Sequence, residues 1–116
     1  MNPDKATSSR SKLVSAARAI VTYEVGLPRG CTRMLNALSR LRPYEQLIYP
    51  VFEDYRRATS GLPTGQERLH WDREALRMLD TRLEAVNREF RDRIFDACYA
   101  ILDRFAPDDE RRPNMR

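Results

Sequence analysis

From Leu76 to Phe105 apolar side chains return at intervals of three and four residues without a break: Leu76, Leu79, Leu83, Val86, Phe90, Ile94, Ala97, Ile101 and Phe105. A helix of about 3.6 residues per turn puts such a set on one face, whereas a half-buried strand would alternate. Asp72 stands where its carboxylate can accept from the open N–H groups of the first turn, and Glu74 suits the positive end of the helix dipole. Glu84 to Arg88 and Glu89 to Arg93 are outward pairs in the favourable order. Unbroken from Arg73 to Phe105, the helix would run roughly 50 Å at about 1.5 Å per residue. That exceeds a compact domain of 116 residues, so the spacing predicts a bend near Asn87 or an end that projects past the bundle.

The rest of the chain reads as shorter helices separated by proline and glycine. Ser8, Ser9 or Ser11 can cap a first helix whose apolar face is Leu13, Ala17, Ile20, Val21 and Val25, ended or kinked by Gly26 and Pro28. A second helix spans about Arg29 to Leu41, with Cys31, Met34, Leu35, Leu38 and Leu41 opposite Arg33, Asn36 and Arg40. Pro43 stops it, because the residue before a proline is pushed out of the α region. Tyr44, Leu47, Ile48, Val51, Phe52 and Tyr55 follow the helical period into a third helix, which Pro50 kinks or restarts. The expected fold is all-α: a single-domain bundle of four to five helices with a long C-terminal helix, residues 10–106. A flexible N-terminus (1–9) and a flexible charged tail (107–116) flank it.

Composition limits function more than it points to one. Charged residues make up 33% and apolar ones 41% of the chain, which suits a folded soluble domain. No stretch approaches the roughly 20 apolar residues of a membrane span, and MNPDKATSSRSK lacks the apolar run of a signal peptide. A cytoplasmic protein with no membrane partner is expected. Cys31 and Cys98 lie far apart on apolar stripes and read as reduced, buried thiols, although sequence leaves a disulfide between them open. Two cysteines and one histidine leave no Cys/His zinc set. The net charge is +4, and between Lys12 and Arg104 the 16 basic and 13 acidic residues look interspersed. Nucleic-acid binders usually gather their charge on one face, so this pattern weighs against that role.

Catalytic motifs fare no better. Glu67 and His70 form one Glu-x-x-His pair, whereas the di-iron carboxylate sites need two such pairs and further glutamates. Glu53 and Asp54 are adjacent and diverge on a helix; Asp80 and Glu84 belong to an outer face. The glycines fit neither the phosphate loop nor the dinucleotide fingerprint. The expectation is no catalytic residue, no metal and no cofactor. Arg40, Arg42, Arg56 and Arg57, with Tyr44, Tyr49 and Tyr55 among them, could form a rim for single-stranded nucleic acid.

One stretch breaks the helical texture. GLPTGQERLHW (61–71) holds Gly61, Pro63 and Gly65, which let the chain reverse, and the single histidine and tryptophan, His70 and Trp71. Leu62, Leu69 and Trp71 are expected to pin this loop to the bundle end, with Trp71 at the staple position before the cap. Arg68 is expected to tie it down through a helix carboxylate or terminal carbonyls. The loop reads first as a structural joint and second as the edge of a protein contact, because Trp and Arg dominate binding hot spots.

Three segments together, ARAIVTYEVGLPRGCTRM (17–34), GLPTGQERLHWDREALRMLD (61–80) and FRDRIFDACYAILDRF (90–105), resemble a family of small bacterial α-helical proteins of unknown function. Its pattern is a first helix ending in Gly-Glu before a Gly-Cys, then a Leu-Pro-x-Gly…Arg…Trp loop and a terminal helix carrying Ala-Cys. Matching positions are Arg18, Glu24, Gly30, Cys31, Leu62, Pro63, Gly65, Arg68, Trp71 and Cys98, while Tyr23 stands where the family pattern has glycine. The resemblance implies a helical fold without catalysis. Some small helical proteins of this kind are immunity partners of secreted toxins.

These readings converge on a non-catalytic protein-interaction module, in its narrowest form an inhibitor that binds and neutralises a bacterial toxin. Arg56, Arg57, Arg68, His70 and Trp71 are the candidate contact residues. The alternative is a small nucleic-acid-binding regulator. Homodimerisation through an overhanging last helix is a further expectation, because its spacing would also serve a coiled-coil seam.

Overall fold

The computed structural model describes residues 3–62 and 66–106. It is all-helical, with no strand among the described residues. The four α-helices are α1 (Pro3–Val21), α2 (Leu27–Leu41), α3 (Pro50–Ala58) and α4 (Arg73–Phe105), and a 3₁₀ turn, Gln66–His70, precedes the last. α1 packs on both α2 and α4, while α3 bridges α2 and α4. The core between them is built from Leu13, Ala17 and Ile20 of α1, Met34 and Leu41 of α2, Phe52 and Tyr55 of α3, and Ile94, Cys98 and Ile101 of α4, all essentially without solvent contact.

α1 begins at Pro3 and not at one of the expected serine caps. Proline is well suited to a first turn, where its missing N–H has no intrahelical partner to lose. Ala6 and Ser9, within the segment expected to fray, are buried. The helix ends in a Schellman motif: Glu24 N–H donates to Ala19 O at 2.9 Å and Tyr23 N–H to Ile20 O at 3.1 Å. Tyr23 adopts φ 63° there, the left-handed conformation that motif requires. A glycine would adopt this conformation at less cost.

Gly30 also has one. A Cβ built on it would lie 2.5 Å from Ile20 Cγ1 and 3.2 Å from Val25 Cγ2, so α1 and α2 cross where α2 carries no side chain. α2 starts two residues earlier than the spacing predicted, with Gly26 as cap and Pro28 in the first turn.

The third helix required the larger correction. The periodicity from Tyr44 to Ile48 is not helical in the structure; α3 starts afresh at Pro50 and Ile48 is 74% exposed. Two prolines, Pro43 and Pro50, bracket too few residues to recover the cost of a helix nucleus, and the segment between them is held by Arg10 of α1, which pairs with Glu45.

α4 is one helix of 33 residues in a molecule whose longest dimension is 48 Å. Its buried residues are Phe90, Ile94, Cys98, Ile101 and Leu102, all in its C-terminal half. Leu76, Leu79 and Leu83 are only half-buried and stand outside the core cluster. The N-terminal half therefore projects past the bundle, the second of the two expected outcomes. The core-facing stripe is also rotated: Cys98 and Leu102 are buried, while Ala97 and Phe105 lie at its margin. Among the described residues no helix is long and apolar enough to cross a membrane.

Candidate interaction surface

The joint before α4 is held by polar contacts of high directionality. Asp72 caps the helix, its side chain accepting from Ala75 N–H at 2.8 Å. Arg68 reaches forward from the 3₁₀ turn to grip Asp80 with both terminal nitrogens, at 2.6 and 2.9 Å. This is the bidentate fork geometry that makes arginine–carboxylate pairs both strong and orienting. The guanidinium hydrogen bonds hold the Asp80 carboxyl below the usual carboxylate range. Arg68 is thus tied to a helix carboxylate, one of the two anchors expected for it.

The apolar side chains of the same joint behave otherwise than expected. Leu69 is 81% exposed and does not pin the turn. Trp71 precedes the cap, as the staple reading requires, yet 42% of it faces solvent. Met78, on the outer turns of α4, is 69% exposed. Ala75 and Met78, three residues apart, share one side of the helix start, and Trp71 stands just before the cap, outside the helix. Of the three side chains expected to pin the loop, Leu62, at its entry, is the half-buried one. His70 is exposed beside them, as are Arg73 and Arg77. Pro63 and Gly65 lie outside the described residues.

Arg56 and Arg57 sit elsewhere, on the solvent side of α3. Each pairs with a carboxylate one turn earlier: Arg56 Nε to Glu53 at 2.7 Å and Arg57 to Asp54 at 2.7 Å. Arg93 of α4 reaches the same Asp54 at 3.4 Å. These pairs are exposed and worth little stability, but they neutralise Arg56 and Arg57, two of the four arginines of the expected rim. Arg56 lines a groove of about 630 Å³ with Arg42, Leu35, Leu38, Tyr49 and Ile48. Tyr55, expected to be buried, is so; its hydroxyl donates to Asn87 Oδ1 and its ring meets Phe90 edge-on at 5.8 Å. The five contact residues from the sequence therefore fall into two groups, Arg68, His70 and Trp71 at the joint and Arg56 and Arg57 on α3.

Of the family-matched positions, Gly30 serves helix crossing, and Glu24 serves the Schellman turn through its backbone. The Arg18 carbonyl accepts from both the N–H and the hydroxyl of Thr22. Each of these roles is structural. No family model, curated protein or solved structure matches the chain.

Cys31 and Cys98 are free and buried, and desolvation pushes each from an ordinary 9.0 up to about 12. A thiol that stays protonated is a poor nucleophile.

A feature the sequence reading missed concerns charge. Counted over the whole chain, acids and bases look mixed. Counted by segment they separate: from Asp4 to Tyr44 stand eight cations and two carboxylates, Asp4 and Glu24. α2 has no acid at all, although a first turn usually favours one.

Proposed function

We propose that the protein is a non-catalytic interaction module that docks a protein partner on the surface formed by the 3₁₀ turn and the outer turns of α4. The observation that carries this reading is the exposure of Leu69, Trp71 and Met78 beside a joint made rigid by the Arg68–Asp80 clamp and the Asp72 cap. Tryptophan, methionine and arginine are enriched at interface centres, and a pre-ordered anchor loses less entropy on binding. Arg73, Arg77 and His70 flank the apolar trio. The partner that fits is a protein with an apolar recess rimmed by carboxylates. The narrower proposal, an immunity protein that neutralises a bacterial toxin, draws its support from the resemblance, whose loop residues Arg68 and Trp71 belong to this surface.

The test is affinity capture from source extract with wild type and with the double variant Trp71→Ala/Met78→Ala, followed by calorimetry on the captured protein. The variant should bind at least about tenfold more weakly, which is about 1.4 kcal/mol, with an unchanged circular dichroism spectrum. Equal binding by both overturns the surface. A second copy of the chain is the competing occupant, and mass rising with concentration in sedimentation would reveal it. A second reading, a small nucleic-acid-binding regulator, is favoured by the concentration of cations on α1 and α2.

A further inference from the structure

α1 and α2 meet along a surface cleft of about 360 Å³ lined by Lys12, Ser15, Arg33, Asn36 and Arg40 over Ala16 and Ala37. Ala16 and Ala37 are almost fully buried, and being small they let the two helices approach and form its floor. Every polar side chain in the lining is exposed and able to donate, and none is a carboxylate. Among the described residues Lys12, Arg33 and Arg40 form no ion pair, in contrast to Arg56, Arg57, Arg68 and Arg93. The stripe continues beyond the cleft. Arg29 lies one turn before Arg33 on α2, Lys5 lies two turns before Lys12 on α1, and both are exposed.

We infer that this α1–α2 face binds double-stranded nucleic acid through its phosphate backbone, without reading base sequence. Like charges held together on two packed helices repel one another, and a polyanion relieves that repulsion. From Arg29 to Arg40 the stripe extends about 16 Å at about 1.5 Å per residue, a length over which duplex DNA presents about ten charges. The alternatives each lack something here. Single-stranded binding relies on aromatic platforms, and no aromatic residue lines the cleft. A protein partner needs apolar anchors, and none of the exposed large apolar residues (Tyr23, Ile48, Leu69, Trp71, Met78) belongs to the lining. A small anion would be served by the cleft alone and leaves Arg29 and Lys5 unexplained. The helix pair offers side chains to phosphates and no element that enters a groove, so base readout is not expected.

This inference is independent of protein docking at the α4 joint, since the two surfaces share no residue. Fluorescence anisotropy with short duplexes of two unrelated sequences tests it. Both duplexes should bind equally, and the logarithm of affinity should fall against the logarithm of salt with a slope near −4.5, as about five neutralised phosphates require. The double variant Arg33→Ala/Arg40→Ala should flatten that slope by about 2. Arg88→Ala/Arg91→Ala, which removes the same charge from exposed positions of α4, should leave it unchanged. Circular dichroism keeps both variants comparable in fold. An equal effect of the two variants means that binding follows net charge and overturns the site. Tighter binding to the separated single strand, or equal binding to polyglutamate, overturns the choice of duplex.

Discussion

Tyr23 occupies a backbone conformation that costs an L-residue about 1–2 kcal/mol and costs glycine nothing comparable. Its ring lies 5.5 Å from that of Phe95 on α4, although the residue as a whole is 73% exposed. The ring contact and the strained turn oppose each other, and substitution separates them. Tyr23→Ala keeps the strain and loses the ring pair, so it should lower stability by about 0.5–1.5 kcal/mol. Tyr23→Gly loses the ring pair and the strain together. It should melt above the alanine variant by an amount equivalent to about 1 kcal/mol, the reverse of the order in a helix interior. Urea titration of the three proteins measures both differences; an alanine variant at least as stable as the glycine one would contradict the assignment of strain. At this scale the sequence was legible in part. Gly26 and Pro28 marked an end to the first helix, but the left-handed turn at Tyr23 needed the Schellman hydrogen bonds. Gly30 matched a pattern without revealing a reason, because the clash with Ile20 arises from a helix crossing that no local signal encodes.

Among the elements, the joint before α4 depends on ionised Asp80. Its carboxyl titrates below the usual range because Arg68 donates two hydrogen bonds to it. A carboxylate with a lowered folded-state pKa contributes stability above its unfolded value near 3.9, and that contribution disappears as pH falls through the folded value. The 3₁₀ turn should therefore detach in acid before the bundle melts. Trp71 fluorescence should report a transition at lower pH than 3.9, and Asp80→Asn should show the detached signal already at neutral pH. A tryptophan signal unchanged by Asp80→Asn would rule the clamp out as the anchor. Helix starts were readable wherever a single side chain makes the decision, as at Asp72, whose carboxylate takes the Ala75 N–H. They were misread where periodicity competed with backbone chemistry. Tyr44, Leu47 and Ile48 keep helical spacing, yet the prolines on either side leave no room for a nucleus. Along α4 the spacing located the stripe but not its rotation, because Ala97 and Cys98 are both apolar and only packing against α1 and α3 chooses between them.

For the whole molecule, burial of two thiols in one core sets an alkaline limit. Desolvation raises Cys31 and Cys98 from 9.0 to about 12, and Cys31 further opposes ionisation of Cys98. Tyr55, in the same core, is raised as well, first by its own desolvation. A group with a raised folded-state pKa contributes stability in full below its unfolded value and loses it as pH rises toward the folded value. The melting temperature should hold to about pH 9 and fall steadily between about 9 and 12. Cys31→Ala/Cys98→Ala should flatten that fall while lowering stability at pH 7, because small cavities replace the sulfurs. Thiolate absorbance that appears near pH 9 without unfolding would show the thiols to be accessible. The charge asymmetry also belongs to this scale. It stood in the sequence throughout, but a total of +4 hides it. Acids are needed on α4, where arginines would otherwise repel along one continuous surface, and their presence there masks their scarcity on α1 and their absence from α2.

The continuous α4 has one more consequence. Its outer turns rest on few neighbours and carry Arg73, Arg77 and Arg82, whereas Arg88 to Arg104 flank the packed half. The Arg68–Asp80 clamp and the Asp72 cap hold this end, so once the clamp lets go it can open without disturbing the packed half. Trypsin should accordingly cut at Arg73, Arg77 and Arg82 well before it cuts at Arg88, Arg91, Arg93 or Arg104. A ligand seated at Trp71 would slow those early cuts alone, so a timed digest doubles as a gauge of where on the molecule something is holding on.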